Sequence, residues 1–164
     1  MVVFLDDFVG TGGQATRFLD WYFPKYPWLL EVSVYLCVLV GFRSALSALQ
    51  DRLKGKVKGV VAGSVLEEVD RAFDVRNPIW NSTEERSRTS VWASRIGNDL
   101  LASCPLRDSD GTALYIPERD ALGWHKCQAL IAFPHNVPSD TLPLFWAHWL
   151  TEGRTWKPLL DRYD

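Results

Sequence analysis

Two adjacent carboxylates, Asp6 and Asp7, stand just before the run Gly-Thr-Gly-Gly at positions 10–13. Ionised carboxylates accept hydrogen bonds from hydroxyl groups, and a glycine loop that opens a helix points its backbone N–H groups at an anion. The two neighbouring charges repel each other, a cost that a purely structural turn has no reason to carry. The spacing therefore favours a ligand with hydroxyls at one end and a phosphate at the other, such as ribose 5-phosphate.

A glycine-rich turn without a ligand is the alternative interpretation of the same residues. A lone Gly-x-Gly is weak evidence for a phosphate site. The fixed distance between the acid pair and Thr11-Gly12 is what favours binding over a plain turn.

The run Leu-Asp-Asp-Phe-Val-Gly-Thr-Gly-Gly-Gln-Ala at positions 5–15 resembles the phosphoribosyl-pyrophosphate (PRPP) loop of type I phosphoribosyltransferases. In that loop, apolar residues lead into a paired acid, three variable residues and then Thr-Gly. Gln14 departs from the pattern, because a small hydroxyl residue is usual there. The ligand-binding residues that the resemblance implies are Asp6, Asp7, Phe8, Val9, Gly10, Thr11, Gly12, Gly13 and Gln14.

Asp6 and Asp7 are also the candidate catalytic residues. The resemblance implies that they anchor the ribose and, through its hydroxyls, a Mg²⁺ ion that arrives with PRPP. Neither acid is expected to bind the metal directly or to act as a free general base. Catalysis of this kind depends mainly on positioning and on stabilising the charge that develops as pyrophosphate leaves.

A second run, Leu-Gly-Trp-His-Lys-Cys-Gln-Ala-Leu-Ile-Ala-Phe-Pro-His-Asn-Val-Pro-Ser-Asp-Thr-Leu-Pro-Leu-Phe-Trp, occupies positions 122–146. Together with the opening motif, it resembles a divergent phosphoribosyltransferase-like family of bacterial conflict and anti-phage loci, including some retron systems. Members of that family are longer at the N-terminus, so this chain looks like the C-terminal portion of such a protein. The portion expected upstream carries the pyrophosphate-binding loop, and activity of the chain alone is expected to depend on another source for it.

Polar residues at the end of the second run suggest a further contact. We expect Cys127 to Phe133 to form a last core strand whose carboxyl end lies on the same side of the sheet as Asp6. There, His135 could contact a base or pyrophosphate and Asn136 could bind a base edge. A rigid turn bounded by prolines explains the same residues equally well.

The elements that position these residues follow from hydrophobic periodicity. Strands are predicted at residues 2–5, 30–40 and 57–62, with the acids at the carboxyl edge of the first, and helices at 14–23 and 42–53. Pro24 and Pro27 are expected to stop the first helix, and Gly41 to end the second strand. This βαβαβ order predicts one α/β domain over residues 1–164, with a mostly parallel sheet between two helix layers.

The rest of the chain is less regular. Residues 65–73 are predicted to be extended, and a helix is predicted from the Asn-Ser-Thr-Glu-Glu cap at 81–85 to Ser103, with Trp92, Ile96 and Leu100 as its apolar stripe. A long loop, more readily explained by mobility than by function, should span Pro105 to Gly123. The eight tryptophans should mostly be core or surface anchors rather than base-stacking platforms.

Composition limits the remaining classes. The 164 residues are 47% hydrophobic and carry a net charge of −2, so a broad basic nucleic-acid surface is not predicted. The three cysteines form no metal-ligand pair or disulfide framework, which fits a reducing cytosol. The sequence has neither an apolar run long enough to span a bilayer nor an export signal, so we expect a cytoplasmic protein.

Three functions stay open at this point. The first is a phosphoribosyltransferase-like enzyme acting on PRPP or a related nucleotide, in a defence effector. The second is a non-catalytic nucleotide-sensing module, and the third is an inactive remnant. Partners beyond the small molecule could be other defence proteins, and an apolar face left bare would favour an oligomer.

Overall fold

The computed structural model describes residues 1–107, 110–148 and 156–160. Packing divides the chain into two compact units, Met1–Glu68 and Val69–Asp164, and each is described by itself. The prediction of one domain over the whole chain stays a prediction. No helix in the described ranges is both long enough and apolar enough to cross a membrane.

The first unit is built on three parallel strands. They are β1 (Val2–Val9), β2 (Val34–Phe42) and β3 (Gly59–Leu66), and they lie side by side in that order. The register joins Val2 to Val34 and Tyr35 to Gly59. The predicted parallel βαβαβ arrangement is confirmed.

Two helices connect these strands, α1 (Gly13–Lys25) and α2 (Arg43–Arg52). Right-handed connections between successive neighbouring strands place both helices on one face of the sheet. That face is well packed: Leu36 of β2 is 4% exposed, and Leu19 of α1 is 1% exposed. On the opposite face, Leu5 is 82% exposed, so a second helix layer stays a prediction.

Some predicted boundaries in this unit are wrong. β1 does not end at the acids but continues through them to Val9. β2 begins at Val34 rather than residue 30, because residues 27–31 form a 3₁₀-helix, and it continues through Gly41. Glycine suits that strand position because a Cβ there would lie 2.9 Å from the Leu46 side chain.

Proline stopped the first helix later than expected. Pro24 lies inside the last turn of α1, which ends at Lys25. Its missing N–H removes one backbone hydrogen bond from the last turn. The backbone bond that closes the helix end, from Tyr26 N–H to the Tyr22 carbonyl at 3.0 Å, is still made.

The second unit contains one long helix, α3 (Thr83–Ala102), and a four-residue helix, α4 (Pro117–Asp120). The predicted cap of α3 is confirmed, because the Ser82 hydroxyl accepts a hydrogen bond from Glu85 N–H at 3.0 Å. α3 can pass close to the chain after α4 only because of Gly97. A Cβ on that residue would lie 2.1 Å from the Ala121 carbonyl oxygen.

The core of this unit is rich in aromatic residues. Trp146 is 1% exposed, and its ring N–H donates to the Thr141 carbonyl at 2.9 Å. The residues that form the larger buried cluster are Leu100, Leu101, Cys104, Tyr115, Trp124, Val137, Trp146 and Ala147. Trp124 and Trp146 are buried, as predicted for core anchors, whereas three other tryptophans are about half exposed at the surface. These are Trp21, Trp28 and Trp92; Trp149 lies outside the described residues.

The predicted core strand from Cys127 to Phe133 is wrong. Gln128 has a φ of 59°, a left-handed conformation that breaks an extended chain. Only an isolated bridge joins Ala129 to Thr141, whose hydroxyl bonds the backbone of Ile131. Hydrogen bonds of the Thr141 hydroxyl thus take the place of the regular backbone ladder that the apolar residues suggested.

Two other predictions for this half need correction. The segment 65–73 is extended only to Leu66, the end of β3, and a 3₁₀-turn follows at Glu68–Asp70. The stretch from Pro105 to Gly123, predicted as a loop, contains α4. Proline at the first position of α4, where no backbone donor is needed, explains why a helix can start there.

Candidate functional site

The turn between β1 and α1 has a backbone geometry that suits an anion. Gly12 is the N-cap of α1, with a φ of 76°, and it has no side-chain hydrogen bond to the helix. The first helical bond runs from Thr16 N–H to the Gly12 carbonyl at 3.0 Å. The N–H groups of Gly13, Gln14 and Ala15 therefore have no partner within the helix and point toward its N-terminal end.

Charge at this helix start also favours an anion. The first turn of α1 contains no acidic residue, so nothing in it opposes the positive end of the helix dipole. Thr11 and Gly13 are exposed, which leaves the turn accessible from solvent. Gly12 is needed for its conformation rather than for space, since a Cβ there would lie 3.5 Å from the nearest atom.

Asp6 lies on the side of β1 that faces α1. It lines a cleft of about 230 Å³, whose other described lining residues are Phe4, Leu5, Gln14, Ala15, Phe18, Leu19 and Leu36. The carboxylate is therefore close to the first turn of α1. The cleft is mainly apolar, and Asp6 is the charged group in it.

Burial raises the pKa of Asp6 above its ordinary value of 3.8, and the charge of Asp7 acts in the same direction. A hydrogen bond from Asp7 N–H to Asp6 Oδ1, at 3.0 Å, opposes this effect. Within the described ranges, no ion pair joins either acid to a basic side chain. Asp6 thus keeps an unfavourable charge that a hydroxyl donor or a cation would stabilise.

Asp7 is placed differently from Asp6. Because β1 continues through both residues, their side chains project to opposite faces of the sheet. Both are half-buried, and both lie within a few residues of the glycine turn. The structure thus brings Asp6 near Gln14 and Ala15. The Asp7 side chain lies on the opposite face of the sheet.

His135 and Asn136 belong to a tight turn in the second unit. Phe133 and Asn136 exchange two backbone hydrogen bonds, at 2.8 and 3.2 Å. Asn136 Oδ1 accepts a bond from Val137 N–H at 2.9 Å, and the exposed His135 ring stacks on Phe133. The strand that was expected to position these residues is absent among the described residues, so their suggested ligand role has lost its structural argument and stays a prediction.

Mg²⁺ has no preformed protein site in the described ranges. No group of three or more His, Cys, Asp or Glu residues there is placed to hold a metal ion. The carboxylates near the helix start are those of Asp6 and Asp7. Two carboxylates fit a Mg²⁺ ion that is bound mainly by the phosphates of its ligand.

The sequence did not reveal a buried carboxylate in the second unit. Asp120 is 1% exposed, and its oxygens accept hydrogen bonds from the Arg119 side chain and from the N–H groups of Ile116 and His125. Burial acts to raise its pKa, but these bonds outweigh it and lower the pKa below 3.8. Asp120 is therefore a structural group, and no periodic pattern in the sequence could have identified it.

The fold and the turn define an α/β protein in which paired acids precede a glycine turn at the N-terminus of a helix. A family model described as PRTase-CE matches residues 1–162. The chain therefore belongs to the PRTase-CE family, a phosphoribosyltransferase-like family. No curated protein and no solved structure gave a significant match.

Proposed function

We propose that this chain binds PRPP or a related ribose 5-phosphate nucleotide at the turn between β1 and α1. The observation that carries the proposal is the placement of Asp6 beside a helix start whose first N–H groups lack intrahelical partners. Hydroxyls and a phosphate on one small molecule satisfy both groups together. Membership of the PRTase-CE family supports the same ligand class.

In this proposal, the 5-phosphate accepts hydrogen bonds from the N–H groups at residues 13–15 and from the Thr11 hydroxyl. The ribose hydroxyls donate to Asp6, with Asp7 reaching the sugar from the other side of β1. A hydrogen bond from a ligand stabilises the ionised form of Asp6, so binding should lower the raised pKa of this group.

Transfer would break the bond between C1 of the ribose and pyrophosphate, and the acceptor would take its place. The chain's own contribution is to hold the sugar and the phosphate in one orientation and to offset positive charge at C1 with the nearby carboxylates. Mg²⁺, when bound with PRPP, would neutralise the leaving pyrophosphate. We further propose that this activity, or ligand sensing by the same site, serves a bacterial defence system.

Titration calorimetry with PRPP, with and without Mg²⁺, tests the binding. We expect the Asp6→Asn/Asp7→Asn double variant to lose PRPP binding at least tenfold. Asp51→Asn is the control, since it removes a carboxylate charge from an exposed position of α2, and it should bind as the native chain does. Equal PRPP affinity in the double variant and in the native chain would contradict the proposal.

Release of pyrophosphate separates an enzyme from a sensor. An active transferase should release pyrophosphate from PRPP in the presence of Mg²⁺ and an acceptor, and the double variant should not. PRPP binding without pyrophosphate release, over a panel of bases and amines, would favour the sensing module. A phage challenge of cells that express the native chain or the double variant tests the defence role.

A further inference from the structure

The outward face of α3 combines charged and apolar side chains. Glu84, Arg88, Val91 and Arg95 follow one another at spacings of four, three and four residues, which places them on one stripe of the helix. Val91 is 71% exposed, and Trp92 beside it is 50% exposed. The buried residues of the helix, which lie on its other side, are Ala93, Gly97, Leu100 and Leu101. Trp92 was expected in the apolar stripe, and the structure places it outside.

Nothing in the described part of the chain covers this outward stripe. No hydrogen bond or ion pair among the described residues engages Glu84, Arg88 or Arg95. An open groove of about 940 Å³ runs along the face, and all its described lining residues belong to α3 or its cap. Tryptophan and arginine are the residues that contribute most at protein interfaces.

The order of charges along the stripe is self-complementary. When two copies of α3 lie antiparallel around a two-fold axis between residues 89 and 90, Glu84 faces Arg95 of the second copy. Arg88 then faces Val91 and lies close to the ring of Trp92, where cation–π contact is favourable. The two-fold axis makes each of these contacts twice.

We propose that the outward stripe of α3 is an interface between two copies of this chain, packed antiparallel. Other arrangements of the same stripe are less favourable. A parallel pair would set each charge against its own copy, and moving the axis by two residues toward the C-terminus would set Arg88 against Arg95. The antiparallel register around residues 89 and 90 avoids both repulsions.

The size of the stripe determines the strength of the contact. Residues 84–95 span about 18 Å of helix. A contact of this length is smaller than a standard stable interface, so we expect a dissociation constant in the micromolar range. Because the two Glu84–Arg95 pairs join side chains that are exposed in the single chain, raising the salt concentration should weaken the dimer.

Sedimentation equilibrium of the full chain over 5 to 500 µM tests the proposal, with Glu84→Arg and Arg95→Glu as the variants. We expect the dissociation constant to rise at least tenfold in each single variant, because each one puts two arginines or two glutamates face to face. An equimolar mixture of the two variants should associate almost as well as the native chain. In that mixture, each pair again joins an arginine to a glutamate.

Glu118→Arg is the matched control, because it reverses an exposed glutamate of the same unit outside α3. This control should dimerise as the native chain does, and far-ultraviolet circular dichroism should show all variants folded. The mixing experiment compares the same two proteins alone and together, so a folding defect cannot imitate its result. A native chain that is monomeric at 500 µM, or a mixture that associates no better than either variant alone, would overturn the proposal.

Discussion

Two carboxylates of the molecule lie in contrasting surroundings: Asp6 is half-buried in the C-terminal half of β1, and Asp120 is buried at the end of α4. Asp120 accepts hydrogen bonds from a guanidinium and from two backbone N–H groups, and its pKa is lowered. Asp6 receives one bond, from the next residue, beside a like charge, and its pKa is raised. A carboxylate satisfied by its own chain stabilises the fold, whereas one that is not satisfied costs stability and is available to a ligand.

Removing Asp120 should give the largest effect. Asp120→Ala leaves the Arg119 guanidinium and two backbone N–H groups without their acceptor, and should lower the free energy of unfolding by about 3 kcal/mol. Urea denaturation measures this loss. Asp20→Ala is the control: Asp20 pairs with two cations, Arg52 and Lys56, but it is partly exposed, so its loss should be much smaller. An equal loss in both variants would contradict the structural role assigned to Asp120.

Changing Gly12 should give an intermediate effect. Gly12→Ala puts a side chain at a φ of 76°, which costs about 1 kcal/mol of stability, and it should also weaken PRPP binding by distorting the helix start. Gly55→Ala is the matched control, because Gly55 has a φ of 84° and no atom within 4 Å of an added Cβ. Both variants should lose similar stability in urea, but only Gly12→Ala should lose PRPP affinity in calorimetry. Unchanged PRPP affinity in Gly12→Ala would contradict the proposal that the start of α1 binds the phosphate.

Replacing Asp6 should have the smallest effect on stability, with the opposite sign. The raised pKa means that the folded state binds this proton more tightly than the unfolded state does. Stability from this group is therefore fully present below pH 3.8 and is lost as the pH rises through the folded pKa. Asp6→Asn should match the native chain at acid pH and equal or slightly exceed its free energy of unfolding at pH 7.

Urea denaturation of the native chain and of Asp6→Asn at several pH values measures this difference. The other titrating groups are common to both proteins, so their contributions cancel in the comparison. The control is Asp51→Asn, which makes the same Asp-to-Asn change at an exposed position of α2 and should leave the free energy of unfolding at pH 7 nearly unchanged. A loss of more than about 1 kcal/mol in Asp6→Asn at pH 7 would show that Asp6 is a structural carboxylate like Asp120, and the contrast between the two regions would fail.

Much of the first unit could be predicted from the sequence. The alternation of apolar residues identified the three strands and two helices, and turn composition located the glycine N-terminus of α1. Its boundaries were less predictable: the residues Asp6 to Val9 look like a loop, yet pairing with β2 keeps them extended. This matters for the site, because the extended backbone sends Asp6 and Asp7 to opposite faces.

The second unit was less predictable. The cap at Ser82 was correct because a helix start depends on residues close in sequence. The apolar run at 127–133 was taken for a strand, since the left-handed conformation of Gln128 has no signal in composition. The exposure of Trp92 also depends on which face of α3 packs inward.

By itself, the sequence determined the order of the elements in the first unit, the cap of α3, and the motif that pairs acids with a glycine turn. These features depend on hydrophobic periodicity and on contacts between residues a few positions apart, and both can be inferred directly from the sequence. Only the tertiary structure decided that Asp120 is satisfied and Asp6 is not. That outcome depends on which donors converge on each carboxylate once the chain has packed, and burial acts on both groups in the same direction.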